Sequence, residues 1–304
     1  MLSRREFLAT SVTSLVALTA QAEPIIDIHQ HLGYSGRADH DLLAHQDAMG
    51  ATTTILLPAG RDARRPSTHD GVANGLQAQA LGNDACAQFA RSYPTTFKFG
   101  ANDVPDADGA VQTIGRYLEQ GAVLIAEQKF GVDCDSPEMQ RIYELAQSAR
   151  VPVLMHWQFK MYNYGFERFS KMLETYPAVN FIGHAQTWWG NISGQFADQT
   201  VMYPSGPVAP GGLTDRYLSD YPNMYGDLSA GSGLNALRRD EGFTREFVAR
   251  HQNKLLFGSD CSDRDAAGST CLGAQIIATV RRLAPTKTIE RKLLHDNAKK
   301  LFRL

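Results

Sequence analysis

The chain has 304 residues, 43% of them hydrophobic and 20% charged, with a formal net charge of −2. It is long enough to bury a sizeable core. Its balanced charge offers neither the basic field that nucleic acid requires nor a Lys/Arg run for a membrane surface, which leaves small molecules as partners.

The chain opens on Ser3-Arg4-Arg5-Glu6-Phe7-Leu8, a twin-arginine pattern, followed by the uncharged and modestly apolar run Ala9–Ala20. That run is too short to span about 30 Å of hydrocarbon, and it contains Thr and Ser. Ala20-Gln21-Ala22 supplies a small-x-small cleavage site. Residues 1–22 are therefore read as a cleaved signal and Glu23 as the mature N-terminus. The expected location is periplasmic or otherwise exported, with no membrane contact after cleavage. Residues 23–304 are read as one domain, since α/β barrels commonly exceed the usual domain length.

Short apolar runs then alternate with longer amphipathic ones. Strands are predicted at Ile25–His31, Thr53–Leu57, Thr96–Ala101, Val123–Lys129, Val151–His156, Asn180–His184, Met224–Asp227 and Leu255–Ser259. None alternates strictly, as expected for parallel strands covered on both faces. Helices are predicted at Asp41–Met49, Val72–Tyr93, Asp108–Gln120, Pro137–Arg150, Phe166–Tyr176, Leu234–Gln252 and Leu272–Leu283. Ser136-Pro137 is a helix start with Ser as cap and Pro at the first helical position. Strands separated by helices in this order predict an α/β fold, a single (β/α)8 TIM barrel. The Gly-, Pro- and aromatic-rich stretch Gln186–Asp220 interrupts the rhythm and reads as an active-site loop.

The chemistry concentrates at strand ends. In Asp27-Ile28-His29-Gln30-His31, two histidines at i and i+2 on a strand point to the same side and can reach one ion. Strand five ends on His156, strand six on His184, and strand eight runs through Gly258-Ser259 to Asp260. A lone histidine at a strand end is more often a satisfied core residue. Four strand ends that all finish in His or Asp, and that a barrel brings to one rim, point to a metal site. The four cysteines, Cys86, Cys134, Cys261 and Cys271, lack C-x-x-C spacing; in an exported chain Cys261 and Cys271 are the nearest candidates for a disulfide, but the favoured reading is four small buried hydrophobes.

With these motifs the chain resembles the amidohydrolase superfamily, in particular the amidohydrolase-related branch that includes aromatic-acid decarboxylases and lactone hydrolases. The resemblance runs from Ile25 to the C-terminus. It rests on D-x-H-x-H, His156, His184, Gly258-Ser259-Asp260 and the closing Asn297-Ala298-Lys299-Lys300-Leu301-Phe302. It implies one divalent metal ion, zinc by default for a His/carboxylate set, held by His29, His31, His156 and Asp260. Asp260 would contact the ion or its water and accept the water's proton. His184 would polarise the substrate carbonyl or protonate the leaving group. Asp27 would brace the loop or a ligand.

Lys129 stands where some superfamily members carry a carboxylated lysine. The branch's single metal instead favours a cation that binds substrate, or one paired with Glu127. Asp227, read as a substrate contact, and Ser229 also face the rim. Trp157, Tyr162, Tyr164, Trp188, Trp189 and Tyr203 either contact a flat substrate, plug the barrel top or meet a second copy of the chain. The leading expected activity is metal-assisted hydrolysis of an ester, lactone or amide. The alternative is non-oxidative decarboxylation of an aromatic or enol acid, and the third reading is a non-enzymatic exported binding protein.

Overall fold

Apolar runs that end on one polar residue form strands buried on both faces. The computed structural model describes residues 23–59, 80–264 and 270–304. The expected signal segment therefore lies outside the described residues, as does the predicted helical stretch up to residue 79. Among the described residues the strands are β1 (Ile25–Gln30), β2 (Ala51–Leu56), β3 (Phe97–Phe99), β4 (Ile125–Gln128), β5 (Val153–His156), β6 (Phe181–His184), β7 (Met224–Asp227) and β8 (Leu255–Leu256). Each pairs in parallel with its sequence neighbour, in runs β1 to β3 and β4 to β8. Backbone hydrogen bonds join the two runs: Val123 N–H donates to Phe99 O at 2.9 Å and Ala101 N–H to Leu124 O at 2.9 Å. The seam between β8 and β1 is closed by Ile28 N–H to Phe257 O at 3.1 Å and Asp260 N–H to His29 O at 2.7 Å. The chain is a (β/α)8 barrel.

Its interior is filled by Ile26 and Ile28 from β1, Ile55 and Leu57 from β2 and just past it, and Leu124 and Ala126 around β4. Leu154, Ile182 and Leu256 complete this layer, and Ala298 and Phe302 join the cluster from the C-terminal helix. A second, larger apolar shell lies between the strands and the surrounding helices.

Those helices are α1 (Asp39–Met49), α2 (Asn83–Ser92), α3 (Ala110–Glu119), α4 (Pro137–Ala149), α5 (Ser170–Thr175), α6 (Gln186–Gly190), α7 (Leu213–Asp220), α8 (Ala230–Arg238), α9 (Glu241–Arg250), α10 (Leu272–Leu283), α11 (Lys287–Arg291) and α12 (Asn297–Phe302). No helix among the described residues is long and apolar enough to cross a membrane. Ser136 caps α4 as expected, its hydroxyl accepting from Met139 N–H at 3.3 Å. The single helix predicted over 234–252 is instead two, because Asp240 leaves helical geometry and caps the second through Phe243 N–H at 3.1 Å. The long stretch after β6 is not all loop, since it carries α6 and α7.

Candidate metal centre and active site

The polar strand ends converge as the barrel requires, but two strands reach the site by breaking register. Pairing is irregular in β1 between Asp27 and Gln30, and around β4 between Ile125 and Gln128. In each strand the apolar residues that fill the interior (Ile26 and Ile28, Leu124 and Ala126) have the opposite parity to the polar ones that face the site (His29, Glu127). Such irregularities re-aim side chains.

His29 and His31 face each other through Nε2, 3.3 Å apart. The far side of each ring is fixed: His29 Nδ1 lies 2.7 Å from Asp227 Oδ2, and His31 Nδ1 donates to Leu57 O at 2.8 Å. Acceptors at both Nδ1 atoms fix the tautomers and turn two lone pairs toward one point. A cation between them, or a proton on one of the two nitrogens, would relieve the opposition of the lone pairs.

Carboxylates surround the same point. Asp260 Oδ1 is 3.5 Å from His31 Nε2 and 3.8 Å from His29 Nε2, while Glu127 Oε2 is 3.8 Å from both. Asp260 Oδ1 is buried and has no hydrogen-bond partner in the protein. A buried carboxylate oxygen left unpaired is costly, and an ion among these donors removes the cost. The donor set is imidazole and carboxylate, which suits a divalent cation. His29, His31, Glu127 and Asp260 would hold it.

The predicted quartet thus needs one change. His156 does not stand beside His29 and His31; it sits one residue farther out, with its Nδ1 on Glu127 Oε1 at 2.5 Å and its Nε2 facing the Gln158 amide at 3.2 Å. His156 groups instead with Glu127 and His184, so two three-donor sets share Glu127. The rings of His29, His184 and His156 follow one another at centroid separations of 4.5 and 5.2 Å.

The protonation pattern follows from burial and charge. Burial alone would depress His29, but the carboxylates of Asp260, Asp227 and Glu127 outweigh it and push the imidazole up to about 10. Burial depresses His31, and burial together with the Lys129 ammonium takes His156 down to about 4. Burial would raise Glu127, yet His156 and Lys129 hold its carboxyl well below the usual range. A protonated His29 would place its positive charge among these carboxylates, where a bound cation would also sit.

His184 Nδ1 is fixed by Ser229 Oγ at 3.0 Å and Asp227 Oδ2 at 3.2 Å. Its Nε2 points inward, 3.8 Å from Asp260 Oδ2 and 3.6 Å from Glu127 Oε1. Asp227, expected to touch substrate, is fully buried and instead orients His29, His184 and Ser229. Asp27 braces as expected. It accepts from His29 N–H at 3.1 Å, Ser259 N–H at 2.8 Å and Ser259 Oγ at 2.6 Å, although burial raises its own pKa.

Lys129 lies just past β4, half-buried, with its ammonium 5.5 Å from the Tyr162 ring. Trp157 and Trp188 do not reach the site. Both are fully buried in the barrel wall: Trp157 packs on Phe166 and Phe169, and Trp188 lies across the Cα of Gly183. Two residues of the site, Glu127 and Tyr34, were not among those expected. Glu127 was assigned only as a partner for Lys129, although a carboxylate inside an apolar strand was itself the signal. Tyr34 stands close enough for the Asp260 carboxylate to raise its phenol's pKa, and nothing local in the sequence marks it. A cavity of about 550 Å³ lies alongside, lined by Gln158, Phe159, Lys160, Tyr164, Phe166 and Leu213 among others, and touches the centre through Gln158.

No protein-family model and no curated protein matches the chain. Solved structures do. An uncharacterised TIM-barrel protein from Bordetella bronchiseptica matches at 15% identity and TM-score 0.61, covering 92% of this chain and 98% of that one. A candidate 2-pyrone-4,6-dicarboxylic acid hydrolase from Pseudomonas putida matches at 14% identity and TM-score 0.60, covering 93% and 98%. A 5-carboxyvanillate decarboxylase from Sphingomonas paucimobilis matches at 13% identity and TM-score 0.56, covering 93% and 100%. At these identities the likeness establishes the TIM-barrel fold over nearly the whole of each chain.

Proposed function

We propose that this chain is a metal-dependent hydrolase of the amidohydrolase type, acting on an ester, lactone or amide bond of a small molecule. The observation that carries the reading is Asp260 Oδ1, buried without a partner beside two imidazole nitrogens that face each other. The ion we propose is zinc, held by His29, His31, Asp260 and Glu127, with His156 and His184 completing the second set. When bound, such an ion supplies Lewis acidity and brings the pKa of a water down from 15.7 toward about 7.

The chain's own residues supply the proton traffic. Asp260 Oδ2 and His184 Nε2 are 3.8 Å apart, so one takes the proton of the attacking water while the other serves the leaving group. Asp227 and Ser229 hold His184 in the orientation this needs. The Lys129 ammonium at the rim suits a substrate that carries a carboxylate.

That same ammonium favours a second reading, non-oxidative decarboxylation, which also draws on the structural likeness to a decarboxylase. In that reaction the Asp260–His184 pair delivers a proton to carbon. The residues 1–22 pattern supports export, so both activities would act on small molecules outside the cytoplasm. The test is product analysis on zinc-loaded chain, with a panel of lactones, esters and aromatic acids in heavy-oxygen water. Label in the product supports hydrolysis, and released CO2 with unlabelled product supports the lyase. Inactivity across the panel at full metal occupancy refutes both.

A further inference from the structure

Next to Asp260 along the chain begins a second group of side chains with metal-binding chemistry that the proposed reaction does not use. Cys261 follows Asp260 directly, Cys271 caps α10, and His45 and Met49 come from α1. All are buried: His45 and Cys271 fully, Cys261 at 2% exposure and Met49 at 7%. The two cysteines are unbridged. One donor atom from each of His45, Cys261 and Cys271 lies within 4.8 Å of the others.

We propose that His45, Cys261 and Cys271, with the Met49 sulfur beside them, form a structural site for a thiophilic d10 cation, Zn2+ or Cu+. The spacings carry it. A tetrahedral ion about 2.3 Å from each sulfur and 2.0–2.1 Å from an imidazole nitrogen sets two sulfurs about 3.8 Å apart and sulfur about 3.5 Å from nitrogen. The observed separations are 3.7 Å between the Sγ atoms and 3.4 Å from Cys271 Sγ to His45 Nε2. A disulfide would need its sulfurs at about 2.05 Å.

Met49 Sδ stands 3.9 Å from Cys271 Sγ, at the spacing of a further donor. Gly273 leaves room for it, since a Cβ there would lie 2.4 Å from that sulfur. Thiolate, thioether and imidazole together select soft cations over the oxygen-seeking ones. Binding converts both thiols to thiolates, and their two protons go to solvent. The ion would tie α1 and α10 to the residue that follows Asp260, fixing the backbone from which that carboxylate projects.

The active-centre donors named above carry no sulfur, so a sulfur signal that is lost in Cys271→Ser and kept in Cys86→Ser reports this site, whatever the enzyme's reaction. The reduced full chain is loaded with Zn2+ in one arm and Cu+ in the other, and X-ray absorption is recorded at each metal edge. A sulfur shell near 2.3 Å in either arm is expected. Only nitrogen and oxygen neighbours in both arms would overturn the proposal. Co2+ titration gives an independent reading: a thiolate-to-cobalt charge-transfer band should appear in the reduced wild type, persist in Cys86→Ser and vanish in Cys271→Ser. A band that survives in Cys271→Ser, or no band in wild type whose histidine–carboxylate centre is loaded, sinks the assignment.

Discussion

Glu127→Gln is the sharpest perturbation of the active centre, because it keeps the side chain's shape and removes only its charge. The carboxylate lies 3.8 Å from Nε2 of both His29 and His31 and is 2% exposed. Unit charges at that separation interact by about 4 kcal/mol at an effective dielectric near 20. At 1.4 kcal/mol per decade this is about three powers of ten in an equilibrium constant. Relaxation recovers part of it, so metal affinity should fall by about 10- to 1000-fold, at least the worth of losing an outer-shell partner. Chelator competition on purified chain measures the affinity, metal per chain checks occupancy, and the melting midpoint confirms that the barrel is intact. A folded Glu127→Gln variant with affinity within about threefold of wild type would show that this carboxylate faces the histidines without serving a cation.

Two further outcomes follow from the same geometry. His29→Ala should lose metal and activity together, whereas Asp260→Asn should weaken metal about as much as Glu127→Gln does and, when metal is supplied to full occupancy, should still drop in turnover by about 10²–10⁴, the usual worth of acid–base catalysis; metal per chain beside kcat separates the two losses, and near-normal turnover in fully loaded Asp260→Asn defeats the proposed proton path. In metal-free protein the His29 pKa is raised to about 10 from its ordinary 6.5, so the stabilisation is complete below 6.5 and fades as pH rises through 10. The melting midpoint of chelator-treated chain should therefore fall between those values by more than that of metal-loaded chain, in which the ion has replaced the proton; parallel pH profiles would contradict this.

The barrel was readable because each of its strands is an apolar run closed by a turn or a polar residue, and such runs need no partner to be recognised. His184 and Asp260 were readable because each closes such a run, and His29 and His31 because their i, i+2 spacing on one strand points both to the same side. Glu127 is marked in the sequence only as a carboxylate inside an apolar strand; that it faces the site depends on a break in strand register that no short window reveals. His156 was found, but its partner on the adjoining strand, Glu127, was not, and that partner decides which set of donors it joins. Trp157 and Trp188 misled because aromatic residues next to a site in sequence can turn outward to the helices. The break at Asp240 carries a capping signal, yet the apolar spacing runs straight across it. At the C-terminus, Asn297–Phe302 was recognised as a motif without its helix, which packs against the barrel interior.

The seam between β1 and β8 has a consequence for assembly. Asp27, His29 and Gln30 come from the first strand, and Ser259, Asp260 and Cys261 from the segment after the last. They are laced by Asp27 to Ser259, Gln30 Nε2 to Cys261 O at 3.1 Å and Asp260 N–H to His29 O at 2.7 Å. These partners stand about as far apart along the chain as a single domain allows, so their meeting is a late, entropically expensive event. An ion that needs His29 and Asp260 together has no such pocket in a half-wound chain. It would act as a clasp on the finished ring, favouring the closed barrel by mass action and leaving partly folded chains unrewarded.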